Sequence, residues 1–200
     1  MSAPAFMTDP EQLRSLEGQQ YLVLRPGGGV SELFSQTQRR VRGLMPAGSP
    51  HPNAGHVTLR GFWEPGRVAA LRESIRGWAA AVAAIEVAVD RVDSFPAPFQ
   101  VAILRLARTS SVVGACAGLT EHLGETDFAR IGELPLDEWV FHMSLAYGSA
   151  VPSREWLEVA SGLADLAVER PAVVVGELEF VWYDGGEHRE VIPLGPTVSE

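Results

Sequence analysis

The spacing of hydrophobic residues along the chain changes repeatedly between a period of two, typical of strands, and a period near 3.6, typical of helices. In the first half this pattern predicts five elements in the order strand, helix, strand, helix, strand. They cover residues 21–26, 32–43 with Ser31 as N-cap, 56–63, a helix that starts at Glu64–Pro65, and 85–92. A Gly- and Pro-rich connection at 44–55 separates the first of these helices from the strand that follows.

The same order of elements returns in the second half. The predicted elements cover 101–107, 111–122, 139–148, 152–168 and 172–183, with an irregular stretch at 124–138. Corresponding elements are similarly separated: 80 residues from Tyr21 to Val101, 86 from His56 to His142, and 87 from Ile85 to Ala172. The sequence therefore predicts an internal duplication with a period longer than that of solenoid repeats.

The predicted fold is α+β, with two β-α-β-α-β lobes related by a pseudo-twofold axis. Mostly antiparallel sheets line a central cleft, and helices cover the outside. We expect a single bilobal domain over residues 1–200, with lobes at about 20–95 and 99–195. An N-terminal extension at 1–18 contains a short helix capped by Thr8 or Asp9, and a final strand near 189–195 pairs through the turn YDGGEH.

Composition excludes several kinds of chemistry. All 16 basic residues are arginine, so the chain has no lysine to form a Schiff base, act as a general base or complete a phosphate loop. A net charge of −9 disfavours binding to a long nucleic acid. The chain shows neither a basic, apolar leader nor an apolar run long enough to span a bilayer, so we expect a cytoplasmic protein with no membrane partner.

Two short stretches, HVTL at 56–59 and HMSL at 142–145, carry the candidate chemistry. Side chains alternate across a strand, so His56 shares a face with Thr58, and His142 shares a face with Ser144. The apolar residues between them are expected to face the buried, helix-covered side of the sheets: Val57, Leu59, Met143 and Leu145. If the duplication is real, its symmetry sets the two histidine–hydroxyl pairs opposite each other in one cleft.

Two such pairs suit displacement at phosphorus. The reaction removes a proton from the attacking oxygen on one side and supplies a proton to the leaving oxygen on the other. Imidazole titrates near neutral pH, so one histidine can be neutral while the other is protonated. Thr58 and Ser144 can donate hydrogen bonds to the non-bridging oxygens. This chemistry requires neither a metal nor a cofactor, and the sequence does not decide which histidine is the base.

HVTL and HMSL resemble the paired H-x-[ST]-hydrophobic motifs of the two-histidine phosphoesterase superfamily, more narrowly its 2′-5′ RNA ligase-like and cyclic phosphodiesterase proteins. The resemblance extends from about Tyr21 to Leu194. It implies metal-free opening of a 2′,3′-cyclic phosphate on a small nucleotide or RNA terminus. His56 and His142 would be acid and base, and Thr58 and Ser144 would hold the phosphate. Members commonly yield the 2′-phosphate, and some join RNA ends 2′ to 5′.

The chain departs from this family at one place. Many members carry an arginine shortly after the second motif, where this chain has Ala146 and Tyr147. Arg60 could substitute if its strand stays regular, and Arg105 is another candidate for substrate binding. Tyr147 could stack on a base.

Two other functions stay open at this stage. A non-catalytic relative could keep the cleft to bind a nucleotide or an RNA end, and would show binding without turnover. A purely structural or partner-binding protein would instead hold His56 and His142 as buried, unconnected side chains.

Overall fold

The computed structural model describes residues 4–195, and this part of the chain contains five helices and nine strands. In chain order they are α1 Pro10–Leu16, β1 Gln19–Leu24, α2 Gly28–Arg42, β2 Val57–Trp63, α3 Val68–Ala79, β3 Ile85–Phe95, β4 Val101–Leu106, α4 Ser110–Gly124, β5 Arg130–Ile131, β6 His142–Tyr147, α5 Ser153–Ala164, β7 Ala172–Val175, β8 Glu177–Tyr183 and β9 Glu187–Pro193.

The strands form two sheets in which all neighbouring strands are antiparallel. One sheet has the order β5-β2-β1-β8-β9, and the other has the order β6-β4-β3-β7. The arrangement repeats, since the pair β1–β2 in one sheet corresponds to β4–β6 in the other. The predicted α+β class with two antiparallel sheets is confirmed.

The third strand of each sequence half belongs to the sheet of the other half. β3 pairs with β4, whereas β8 pairs with β1. A short connection at 96–100 joins β3 to β4, and consecutive antiparallel strands with a short connection usually pair. The sheets therefore do not coincide with the sequence halves 20–95 and 99–195, and each half completes the sheet of the other.

Several element boundaries differ from the predictions. Helix α2 starts at Gly28, with extended Gly27 rather than Ser31 as its N-cap. Helix α3 starts at Val68, because residues 64–67 form a separate turn closed by the bond from the Arg67 amide to the Glu64 carbonyl. The predicted strand at 172–183 is divided at Gly176 into β7 and β8, which lie in different sheets. An uninterrupted β-branched run cannot show which sheet each part will join.

The core lies between the sheets and the helices. The four residues expected on the buried face of the motif strands are all fully buried: Val57, Leu59, Met143 and Leu145. The short N-terminal helix is capped as predicted by Asp9, whose carboxylate accepts from the amides of Glu11 and Gln12. Within residues 4–195, no helix is both long and apolar enough to cross a membrane.

Candidate active site

The two motif histidines sit at equivalent ends of equivalent strands. His56 lies directly before β2, and His142 is the first residue of β6. In each, Nδ1 approaches the carbonyl oxygen two residues earlier: 3.3 Å to Ala54 and 2.8 Å to Val140. A carbonyl oxygen only accepts, so Nδ1 carries the hydrogen. In a neutral ring this leaves the lone pair on Nε2, the nitrogen needed for proton transfer.

Each imidazole is also held by the edge of a phenyl ring. Phe6 packs on His56 with ring centroids 4.5 Å apart and an interplanar angle of 61°. Phe95 packs on His142 at 4.9 Å and 87°. A backbone hydrogen bond and an edge-to-face contact together limit the rotation of each histidine ring.

The hydroxyl residues occupy matching registers in the two sheets. Thr58 lies opposite Val23 of β1, and Ser144 lies opposite Ile103 of β4. His56, Thr58 and Ser144 line one cavity of about 180 Å³. His142 is not part of this lining, but its positive charge when protonated lowers the pKa of His56. The structure therefore brings three of the four motif side chains to one cavity, with His142 close enough to act on His56 electrostatically.

A β-bulge at the last residue of each motif decides where the next side chains point. Leu22 pairs with Arg60 and Val23 with Thr58, which leaves Leu59 without a partner. The extra residue reverses the alternation of side chains. Arg60 faces the helix side, opposite to Thr58, and lines a different cavity. The expectation that Arg60 stands beside the histidines depended on a regular strand, and the bulge removes that condition.

The bulge in the second motif reverses the alternation of side chains in the same way. Ile103 pairs with Ser144 and Ala102 with Ala146, so Leu145 is skipped. Tyr147, three residues after Ser144, thereby shares its face and lines the cavity as expected for a substrate-binding residue.

All three tyrosines of the protein line this cavity: Tyr21, Tyr147 and Tyr183. Burial raises the pKa of each phenol, and the Glu187 carboxylate raises the pKa of Tyr183 further. The phenols are therefore neutral near pH 7 and can donate hydrogen bonds. Tyr21 and Tyr183 could not be predicted from the sequence, because only the pairing of β1 with β2 and β8 brings them to the motifs.

An arginine–carboxylate pair stands beside each histidine. Arg25 holds Glu179 through two hydrogen bonds of 2.5 and 3.0 Å. Arg105, which lies opposite His142 on the neighbouring strand, donates to Asp93 at 3.1 Å. Arg105 is thus near the site but does not line the cavity, and Arg25 is its counterpart in the first half, which the sequence alone does not reveal.

Burial has the largest effect on the pKa of both histidines. Burial, aided by the charges of His142 and Arg25, lowers the pKa of His56 to about 4, against the backbone bond to Ala54 and the charge of Glu179. Burial also lowers the pKa of His142, against its bond to Val140. His56 is therefore neutral near pH 7 and has an available lone pair.

Residues of the N-terminal extension form one wall of the cavity. The amides of Phe6 and Met7 donate to the Glu187 carboxylate at 3.0 and 3.1 Å, and the Asn53 amide donates to the Phe6 carbonyl at 2.9 Å. The Arg25 guanidinium lies 3.9 Å from the centre of the Phe6 ring. No signal in the sequence connects this segment with the motifs, because its contacts come from β9 and the loop before β2.

These features define a class: a duplicated α+β protein whose two antiparallel sheets carry matched histidine–hydroxyl pairs at equivalent strand positions. The model of the 2′-5′ RNA ligase superfamily matches residues 30–187, and the chain belongs to this family. The family and the fold support a phosphoesterase role, and thus an enzyme. No curated protein sequence matches the chain.

Solved structures share the fold at low sequence identity. TT0787 of Thermus thermophilus is 17% identical, with a TM-score of 0.58 over 88% of this chain and 97% of that one. Kluyveromyces marxianus Usb1 is 14% identical, with a TM-score of 0.55 over 90% and 100%. E. coli LigT complexed with 3′-AMP is 14% identical, with a TM-score of 0.53 over 90% and 99%.

Proposed function

We propose that this protein is a metal-independent phosphoesterase that opens a 2′,3′-cyclic phosphate, on a nucleotide or an RNA end, to a 2′-phosphate. With an RNA 5′-hydroxyl in place of water as the nucleophile, the same site would join RNA ends 2′ to 5′. The observation that carries the proposal is the matched geometry of the two motifs: each histidine donates Nδ1–H to a carbonyl oxygen and has a hydroxyl residue two positions later. The structures of Usb1 with uridine monophosphate and of LigT with 3′-AMP agree with a small nucleotide ligand.

In the proposed mechanism, His56 is the base for hydrolysis. Its low pKa keeps it neutral, so Nε2 can take a proton from water as the water oxygen bonds to phosphorus. The bond from phosphorus to O3′ breaks, and His142 gives its proton to that oxygen. The proton on Nε2 of His56 and the one lost by His142 are exchanged with solvent before the next turnover. In ligation a 5′-hydroxyl would replace water as the nucleophile, and the two histidines would keep these roles.

Neutral donors would stabilise the phosphate. Three hydroxyl side chains from the two motif strands line the cavity: Thr58, Ser144 and Tyr147. Hydroxyl groups can donate to the non-bridging oxygens as charge develops on them. No arginine lines this cavity within the described residues, and Arg25 and Arg105 beside it are held in ion pairs with Glu179 and Asp93. We infer that phosphate is bound mainly by hydroxyl groups in this protein.

The test offers the purified protein 2′,3′-cyclic nucleotides and a short RNA with a cyclic end, in EDTA, and follows the 2′-phosphate by chromatography. We expect turnover that His56→Ala and His142→Ala each abolish. His188→Ala, which removes an exposed histidine outside the cleft, is the matched control and should leave turnover unchanged. Activity that survives the two motif substitutions together would refute the mechanism.

One observation favours a second candidate, a protein that binds a nucleotide or RNA end without turnover. Burial lowers the pKa of both histidines, so the protonated form that the general acid needs is scarce near pH 7. Saturable binding of cyclic phosphates, with no product from a broad panel of them between pH 5 and 8, would support this candidate.

A further inference from the structure

A second cavity, of about 590 Å³, lies on the opposite side of β2 from the histidine cavity. Its volume falls within the range of about 300–1,000 Å³ that is typical of small-ligand sites. It is formed by β2, α4 and the segment 133–139, and it has no lining residue in common with the histidine cavity. It is therefore a separate feature that the proposed reaction does not use.

At the base of this cavity lies a buried arginine whose hydrogen bonds are incomplete. Arg60 is only 2% exposed. Its Nη2 donates to Thr120 Oγ1 at 2.6 Å, and Nη1 lies 3.2 Å from Glu133 Oε1 in an ion pair. Nε and Nη1 nevertheless have no hydrogen-bond acceptor among residues 4–195. Buried guanidinium donors are normally satisfied, so acceptors are missing from this site.

The rest of the lining indicates what kind of molecule would supply them. The Arg60 guanidinium lies 5.1 Å from the centre of the Trp139 ring, which offers an aromatic wall. Leu134 and Leu136 add apolar surface. The segment that carries these side chains is held in place, because Arg108 donates to the carbonyl oxygens of Leu136 and Trp139 at 2.8 and 2.7 Å. A flat, largely apolar ligand with hydrogen-bonding edges fits this lining.

The charges of the lining residues further restrict the kind of ligand that the cavity can bind. Glu121 and Glu133 also line the cavity, and their carboxylates oppose a phosphate or another anion. They can, however, accept hydrogen bonds from ring N–H and amino groups. Arginine is the usual partner of the acceptors O6 and N7 of guanine. Guanine presents these acceptors next to the donors N1–H and N2–H₂, so an arginine beside carboxylates matches its edge.

We propose that this cavity binds a guanine base, with Arg60 donating to its acceptor edge, a glutamate accepting from its donor edge, and Trp139 stacking on the ring. Adenine lacks the O6 acceptor and presents an amino group at that position. The site should therefore prefer guanine. This inference does not depend on the phosphoesterase reaction, because it uses none of the residues of the histidine cavity.

The experiment titrates the ¹⁵N-labelled protein with guanosine and with adenosine, two nucleosides without phosphate, and follows amide shifts by NMR. We expect saturable shifts centred on residues 133–139 and on the Trp139 indole, with guanosine bound about tenfold more tightly than adenosine. Equal affinities, no saturation by about 1 mM guanosine, or shifts centred on the histidine cavity would each overturn the proposal.

Variants test the named contacts. Glu133→Gln should weaken guanosine binding about tenfold, because it removes the charge that accepts from the base. Glu125→Gln, at the exposed end of α4 outside the cavity, is the matched control and should bind like the wild type. Trp139→Leu should reduce the affinity for both nucleosides. Binding that neither Glu133→Gln nor Trp139→Leu changes would refute the site.

Discussion

Gly61 and Tyr147 occupy equivalent positions in the two halves of the protein, three residues after the hydroxyl residue of each motif and beyond its β-bulge. Gly61 pairs with Tyr21 of β1, and Tyr147 pairs with Val101 of β4. A Cβ on Gly61 would lie 3.1 Å from the Tyr21 ring, so the absent side chain makes room for the tyrosine opposite it. The cavity thus receives one phenol from each strand pair, but from different strands of the pair.

Replacing Gly61 should disturb this arrangement. In Gly61→Ala the new methyl group would push the Tyr21 ring out of position, and we expect a loss of about 1 kcal/mol in the free energy of unfolding together with lower phosphoesterase activity. Urea denaturation and a turnover assay measure the two effects. Gly77→Ala is the control, because nothing lies within 4 Å of a Cβ in that helical position. It should stabilise α3 by about 0.5–1 kcal/mol. If Gly61→Ala behaves like the control, the close approach to Tyr21 does not matter.

Loss of the Tyr147 hydroxyl should affect turnover more than stability. Tyr147→Phe keeps the ring in the cavity but removes a donor proposed to contact the phosphate. We expect kcat to fall by about 100-fold, the usual effect of losing one donor to developing negative charge. The melting temperature should stay near that of the wild type. An unchanged kcat would show that Tyr147 does not contact the phosphate.

The buried His56 should make stability depend on pH. Its pKa is lowered to about 4 in the folded protein, from 6.5 for an unperturbed histidine. Between these values the unfolded chain binds a proton that the folded protein does not, so this contribution to stability is present above pH 6.5 and is lost as the pH falls toward 4. The loss amounts to about 3 kcal/mol. Urea denaturation across this pH window gives the free energy of unfolding of the wild type and of His56→Gln. The difference between the slopes of the two free energies against pH measures this contribution. Parallel slopes would contradict the low pKa.

The ring of Phe6 should control the protonation of His56. Phe6→Ala removes the edge contact and admits water to the imidazole, so the pKa of His56 should rise from about 4 toward 6.5. An NMR titration of the ring protons measures this shift. Phe99→Ala, at a side chain that is 70% exposed, should leave the pKa of His56 unchanged. The N-terminal segment would have no role in the site if the two variants titrate alike.

Local patterns in the sequence were enough to predict several features of the site. The strand period around HVTL and HMSL predicts that Val57, Leu59, Met143 and Leu145 are buried, and all four are. The matching order of elements predicts the duplication, and the resemblance of the motifs predicts the family, which is confirmed. These features depend on residues close together in the chain, where periodicity and motif spacing carry the information.

Contacts between distant segments decided the rest. Two bulges, visible only in the pairing of β1 with β2 and of β4 with β6, turn Arg60 away from the histidines and bring Tyr147 toward them. The register of β1 and β8 adds Tyr21 and Tyr183. By itself, the sequence determined which residues have the chemistry for phosphate transfer and which faces are buried. The tertiary structure decided which side chains meet in the cavity, because a shift of one residue in strand pairing reverses every face that follows it.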